Sequence, residues 1–307
     1  MDAPATPPPA ISLKATGRDR RRLRVNRLVE GIWIAAAVAT IAVLVILVYS
    51  VFTRGVSALT WDFFVKGPAV FGQAGGGIAP SIVGTALLVA IATAFALPIG
   101  VLCAIYVNEF APKRVGDQVR LWLDVLNGFP SIVIGVFVFA LMVKTKLPLV
   151  GIGNHQSAWA GGFALSIIML PFVGRATMEV LALVPNTLRE ASYALGVSKW
   201  RTVISVVLPT AFGGILTGTT LAIARAAGET APLILVCSIA GNNVVWNPSK
   251  SVSSIPLIIF QNSESPDDGL HAQAWAAAFI LIAFILVASL TARILLDRSR
   301  RKLGHVQ

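Results

Sequence analysis

Glu190-Ala191-Ser192-Tyr193-Ala194-Leu195-Gly196, followed after an interval by Leu208-Pro209, lies between two long apolar segments. A helix opening after Pro185 and Asn186 carries Glu190 on an exposed turn with small residues beside it. Gly196 then falls where the chain must bend. Ser198-Lys199-Trp200-Arg201 forms a second, basic amphipathic piece that leads back into apolar sequence at Leu208-Pro209. Glycine tolerates the positive φ that ends one short helix and starts another. The stretch therefore reads as a helix-turn-helix knob on a short loop between two membrane-embedded helices.

Composition supports that setting. Apolar residues make up 56% of the chain and charged residues 13%, the profile of a polytopic membrane protein. A span needs roughly 20 apolar residues to cross a hydrocarbon core ~30 Å thick. Six segments qualify, at about 31–51, 79–107, 122–143, 158–183, 207–240 and 273–296. Pro130 interrupts the third and Pro232 the fifth, which predicts bent or broken helices there.

The net charge of +11 raises the possibility of nucleic-acid binding, and its distribution argues against it. The N-terminal tail, the loop after the second span, the loop around Glu190 and the C-terminal end together hold 18 of the lysines and arginines. The opposite side holds five: Arg54, Lys66, Lys144, Lys146 and Lys250. Positive charge gathers on the cytoplasmic side, so both termini and the Glu190 loop are expected in the cytoplasm, consistent with an even number of spans.

Other features bound the function by exclusion. Residues 1–17, rich in Pro, Ala and Thr, read as a disordered tail. The apolar run after Arg27 is too long for a secretory signal and lacks a clean cleavage site, so it reads as an uncleaved first span. Cys103 and Cys237 fall within apolar segments and read as packing residues. His155, His271 and His305 lack ligand spacing, and no metal site is expected. No phosphate-cradling G-x-x-x-x-G-K-[ST] occurs. Gly72-Gln73-Ala74-Gly75-Gly76-Gly77 lacks the Lys-Ser/Thr and reads as a flexible lead-in to the second span. No nucleophile, base or metal constellation suggests an enzyme, and any nucleotide hydrolysis must come from another chain.

Ionisable residues inside the spans carry the chemistry. Arg175 and Glu179 lie in the fourth segment, Arg225 and Glu229 in the fifth. Each is an Arg-x-x-x-Glu spacing that places both side chains on one helix face, where they can pair. Such groups cost about 2.5–3.5 kcal/mol each at the bilayer centre, so they are expected to face a cavity or partner helices. Buried pairs stabilise weakly after desolvation, so a structural role explains four of them poorly. Guanidinium forks match phosphate-like oxyanions. The residues thus point to oxyanion passage without naming the anion.

The resemblance to known families rests on five strings. The Glu190–Pro209 spacing resembles the EAA loop of ABC-importer permeases, with Ser192 in place of the second Ala. Arg225-Ala226-Ala227-Gly228-Glu229-Thr230-Ala231-Pro232, together with Gly75 to Thr85, closely resembles the phosphate-specific transporter (Pst) permeases of the PstA type. Leu97-Pro98-Ile99-Gly100 and Phe129 to Gly135 are similar to the same family, and the resemblance covers roughly residues 75–297. It implies an all-α ABC importer type I permease fold with six transmembrane helices. Around the permease domain at 75–297, outside the resemblance, residues 1–30 read as a disordered basic cytoplasmic tail, 31–74 as the first span and an extracytoplasmic loop, and 298–307 as a second basic cytoplasmic tail. The coupling loop would run over about 185–207. The resemblance further implies ATPase docking through Glu190, Ala191, Gly196, Leu208 and Pro209, and functional intramembrane arginines at Arg225 and Arg175; with Glu179, Glu229 and Thr230 these make up the expected substrate pathway. Implied partners are a sister PstC-type permease, a PstB-type ATPase dimer that binds the ATP and Mg, and an extracytoplasmic PstS-type phosphate-binding protein. The implied location is a bacterial or archaeal plasma membrane. The residues leave open a permease for another oxyanion, such as molybdate or sulfate, and a standalone channel or ion-coupled carrier.

Overall fold

No charged residue occurs between Gly31 and Thr53, and in lipid such a run must satisfy its backbone internally, as a helix. The computed structural model describes residues 17–68, 75–144, 155–237 and 243–303, and all regular structure among them is helical. The chain divides into two compact units, residues 1–50 and 51–307. Helix α1 (Arg18–Gly55) forms the described part of the first unit and its last turn enters the second.

The second unit holds the rest. Short α2 (Trp61–Val65) precedes α3 (Ala79–Ile105), which ends in a π-helical turn at Tyr106–Phe110. Helices α4 (Lys113–Gly128) and α5 (Ser131–Val138), the latter extended by a π turn at Phe139–Lys144, meet at Phe129-Pro130 with a 95° bend. Then follow α6 (Ala158–Ala182), α7 (Asn186–Ala194), α8 (Lys199–Thr202) with a π turn at Val203–Val207, and α9 (Leu208–Ala227). Helices α10 (Ala231–Val236), α11 (Ile255–Ser263) and α12 (Asp268–Leu303) complete the chain. Among the described residues, five helices are long and apolar enough to cross a membrane, and the bent α4–α5 pair makes a sixth if taken as one span.

Two of the expected spans differ in detail. The third is longer and more sharply broken than 122–143, because Pro130 removes a backbone donor and biases Phe129 to extended geometry. The fifth is broken, as expected, with the break falling just before Pro232. Helix α9 stops at Ala227, residues 228–230 are irregular, and Pro232 sits in the first turn of α10, where its missing N–H costs nothing. Residues 238–240 lie outside the described residues, as do Gly72, Gln73 and Ala74 of the glycine run. Helix α11 was not foreseen, being too short for a span. Its backbone is tied to α3 where the Ile255 N–H donates to Thr85 Oγ1 at 2.8 Å and where Ser81 meets Ser253 at 3.0 Å.

Helices α3 and α6 pack along their lengths at the centre of the unit. Their contact is lined by small residues, among them Ala92, Ala96, Ala160 and Ala164, all buried. A Cβ on Gly162 would fall 2.4 Å from Ile91 Cγ2. Small side chains let helix backbones approach closely where lipid supplies no hydrophobic drive between helices. A second apolar cluster, including Ala104, Leu123, Leu181 and Val207, lies at the α7 end, and a third, around Phe63, Ile258 and Ala276, holds α2, α11 and α12 together.

Candidate functional site

The bend at Pro130 and the break after Ala227 place irregular backbone beside α6. Arg225 stands in the last turn of α9, where the helix dipole favours a cation. Its guanidinium lies over the Phe172 ring of α6, 4.5 Å from the centroid. Nε is 3.6 Å from Glu229 Oε1, so the expected Arg225–Glu229 pair is present, though longer than a hydrogen bond. The Arg225 side chain is 52% exposed and that of Glu229 14%. Arg225 also lines a cavity of about 250 Å³ with Asn127, Pro130, Ser131 and Phe172, room for several waters or a small oxyanion. Thr230 caps α10 through its backbone, its carbonyl accepting from Leu233 and Ile234.

Arg175 departs from expectation. It pairs not with Glu179 but with Asp124 of α4, Nε to Oδ1 at 2.9 Å. Glu179 is exposed and forms no ion pair among the described residues. Helix spacing permitted an Arg175–Glu179 contact but did not require it, and α4 brings a competing carboxylate to the same guanidinium. Phe172 and Arg175 lie three residues apart on α6, as Asp124 and Asn127 do on α4, so each pair shares a face. Arg225 thus faces the cavity with Glu229 beside it, while Arg175 pairs with Asp124 between α6 and α4. Asp124 was legible as an acid inside the third apolar segment, but no spacing rule on one helix could link it to Arg175.

The knob forms as its sequence predicts. Gly196 has φ +76°. Its N–H donates to Tyr193 O at 2.9 Å while Val197 N–H donates to Ser192 O at 3.2 Å, the paired bonds of a Schellman stop. Glu190 and Ala191 are exposed on α7, and Leu195 and Trp200 present apolar surface at the tip. Leu208 and Pro209 open α9 directly after a π turn. That wider turn accommodates the missing N–H and the ring of Pro209.

Three contacts behind the knob were missed. Ser192 Oγ meets Thr202 Oγ1 at 2.8 Å, both buried, tying α7 to α8. Arg189 Nη2 bonds Glu109 Oε1 at 2.7 Å, the side chains 14% and 4% exposed. Asn108 donates to Met178 O at 2.7 Å. The signal available was an acidic and an amide residue at the end of an apolar segment, with an arginine beside Glu190; their partnership is long-range.

A family model described as the binding-protein-dependent transport system inner membrane component matches residues 96–301. The phosphate transport system permease protein PstA of Haemophilus influenzae is 33% identical over 276 residues, covering 90% of this chain and 95% of that protein. PstA 1 of Mycobacterium tuberculosis strain H37Rv is 36% identical over 289 residues, covering 92% and 91%. The likeness therefore extends beyond the 75–297 marked by motifs. Among solved structures, an ABC transporter that imports the acidic polysaccharide alginate aligns with TM-score 0.60 at 17% identity over 90% of this chain and 99% of its own. The inward-facing MetNI methionine ABC transporter aligns with TM-score 0.56 at 19% identity, over 73% and 94%. Both share the helical permease fold. The chain belongs to the binding-protein-dependent transport system inner membrane components, and within them to the phosphate transport permeases of the PstA type.

Proposed function

We propose that this chain is the membrane-spanning permease subunit of an ATP-driven importer that passes inorganic phosphate into the cytoplasm. The observation that carries the reading is the likeness to PstA-type permeases along nearly the whole chain. The site's chemistry is compatible with it. Two arginines can neutralise a dianion bidentately, while Asp124 and Glu229 compete for the same guanidiniums and keep the anion from being held. Arg175, Arg225, Glu229 and Thr230 are assigned to the pathway. Glu179, exposed and without an ion pair among the described residues, is its weakest member.

In this reading an extracytoplasmic phosphate-binding protein delivers the anion and a sister permease completes the pore. An ATPase dimer binds the ATP and Mg and docks on the knob around Glu190, Ala191 and Gly196. Both termini lie in the cytoplasm of a bacterial or archaeal cell, and the chain itself binds no nucleotide or metal. The test is phosphate uptake into vesicles holding this chain, the sister permease, the ATPase and the binding protein, each omitted in turn. Uptake that requires all four, with sulfate and molybdate failing to substitute, is the expected result. Uptake without the ATPase would establish a channel or carrier instead.

A further inference from the structure

Arg189 and Glu190 are sequence neighbours with opposite orientations, since adjacent helical residues do not share a face. Glu190 is exposed on the knob, whereas Arg189 turns inward. Its two terminal nitrogens make four hydrogen bonds: to Val184 O at 2.6 Å, Asn186 Oδ1 at 3.2 Å, Glu109 Oε1 at 2.7 Å and Leu181 O at 3.1 Å. Leu181 and Val184 bracket the turn joining α6 to α7, so one side chain stiffens that turn. Glu109 belongs to the π turn ending α3, and its neighbour Asn108 grips the α6 carbonyl of Met178. Helix α7 otherwise packs on α8 and the π turn after it. Beneath α7 lies a polar cavity of about 380 Å³, lined by Asn108, Glu109, Arg120, Tyr193 and Lys199. The tie from α7 to α3 and α6 is therefore a charged junction beside open space rather than a packed apolar seam.

We infer that Arg189 and Glu109 are positioning residues that lock the coupling helix to α6 and α3, so that movement imposed on α7 reaches the Arg175–Asp124 contact. Arg175 lies on α6 six residues before Leu181, about 9 Å along the helix, and α6 transmits displacement as a rigid rod. The inference rests on the reading of α7 as the ATPase docking helix. It adds that docking and transmission are separable functions of adjacent residues. Glu190 faces the partner; Arg189 reports to the pore.

The experiment compares wild type, Glu109→Gln and Arg189→Lys in the complete vesicle-embedded complex, measuring ATPase co-purification, ATP hydrolysis and phosphate taken up. Glu109→Gln keeps the shape and removes the charge. Arg189→Lys keeps the charge and loses the fork across the α6–α7 turn. The expected result is normal co-purification and continuing hydrolysis, with phosphate moved per ATP reduced roughly fivefold or more. Should Glu109→Gln fail to assemble, Arg189→Lys alone decides. An unchanged phosphate-to-ATP ratio in the assembled variants would overturn the inference, as would loss of assembly in both, which would make the pair a folding contact only. Failure of the wild-type complex to take up phosphate is a different result, which sinks the functional reading and this inference with it.

Discussion

Arg225 has three neighbours with different claims on its charge: the Phe172 ring at 4.5 Å, Glu229 at 3.6 Å and the open cavity bounded by α4 and α5. The ring fixes the guanidinium without neutralising it, a contact worth about 0.5–2 kcal/mol depending on desolvation. The carboxylate is close enough to lower the local potential and too far for a good hydrogen bond. Arg225→Gln is expected to abolish phosphate uptake while ATPase co-purification stays normal, and Arg225→Lys to restore only part of it. The charge-swapped Arg225→Glu/Glu229→Arg should stay inactive, because the cation leaves Phe172 and the cavity. Full transport by the swapped protein would reduce the pair to a structural contact. Arg175 admits a parallel test, since its partner stands on another helix. The Arg175–Asp124 side chains are 40% and 50% exposed, so solvent screening limits the pair to about 0–1 kcal/mol of stability. If Arg175 serves the anion, Arg175→Gln should cut uptake roughly tenfold more than Asp124→Asn, the worth of one charge-assisted hydrogen bond. Equal losses would make the pair a simple α4–α6 brace.

The knob is the element in which local sequence came closest to dictating structure. Gly196 needs its positive φ, and a β-branched residue there costs about 1–2 kcal/mol of backbone strain. Gly196→Val should therefore weaken ATPase co-purification and leave membrane insertion intact. Ser192→Ala leaves Thr202 without its buried partner and should lower stability by about 1 kcal/mol, read as a small drop in the thermal midpoint of the purified complex. Normal docking by Gly196→Val would remove the turn from the coupling surface. The same locality explains what was legible elsewhere. Apolar length announced α1, α3, α6, α9 and α12, Pro130 announced the α4–α5 bend, and helical spacing announced Arg225 with Glu229. It did not announce the Asp124–Arg175 pair, the Glu109–Arg189 pair, the hydroxyl contact behind Ser192, or α11. Each of these depends on side chains brought together across separate helices, and no single-helix periodicity records that. Pro232 announced a break, though not its position. A proline marks that a helix cannot pass, but Gly228 and Thr230 decide where the break falls.

For the whole molecule, topology follows from which loops share an end. In the unit of residues 51–307, Arg189 reaches Glu109, and the Lys199 ammonium lies 5.3 Å from the Phe110 ring, so the loop after α3 and the knob after α6 gather on one side. At the other end, Ala158 N–H donates to Lys250 O and Gln273 donates to Gly75 O. The loop before α6 thus meets the segment before α11, and the lead-in to α3 meets the start of α12. The helices therefore alternate as an antiparallel set. The loop after α3 and the knob carry Lys113, Arg114, Arg120, Arg189, Lys199 and Arg201, and positive charge in short loops is retained in the cytoplasm. Reporter fusions after Lys302 and within 186–202 are therefore expected to read cytoplasm, and fusions beside Gly75 or Lys250 the outside. The α4–α5 bend makes this test informative. If that pair dips into the membrane and returns instead of crossing, the loops before and after it lie on the same face. A fusion near Lys144 would then read cytoplasm and, with α6 and α9 both crossing, so would a fusion beside Lys250, while the knob and the C-terminal fusion would read outside. Outside readings at both Lys144 and Lys250, with the C-terminal fusion inside, fit six crossings alone. A C-terminal fusion accessible from outside would overturn the span count and the placement of the knob together.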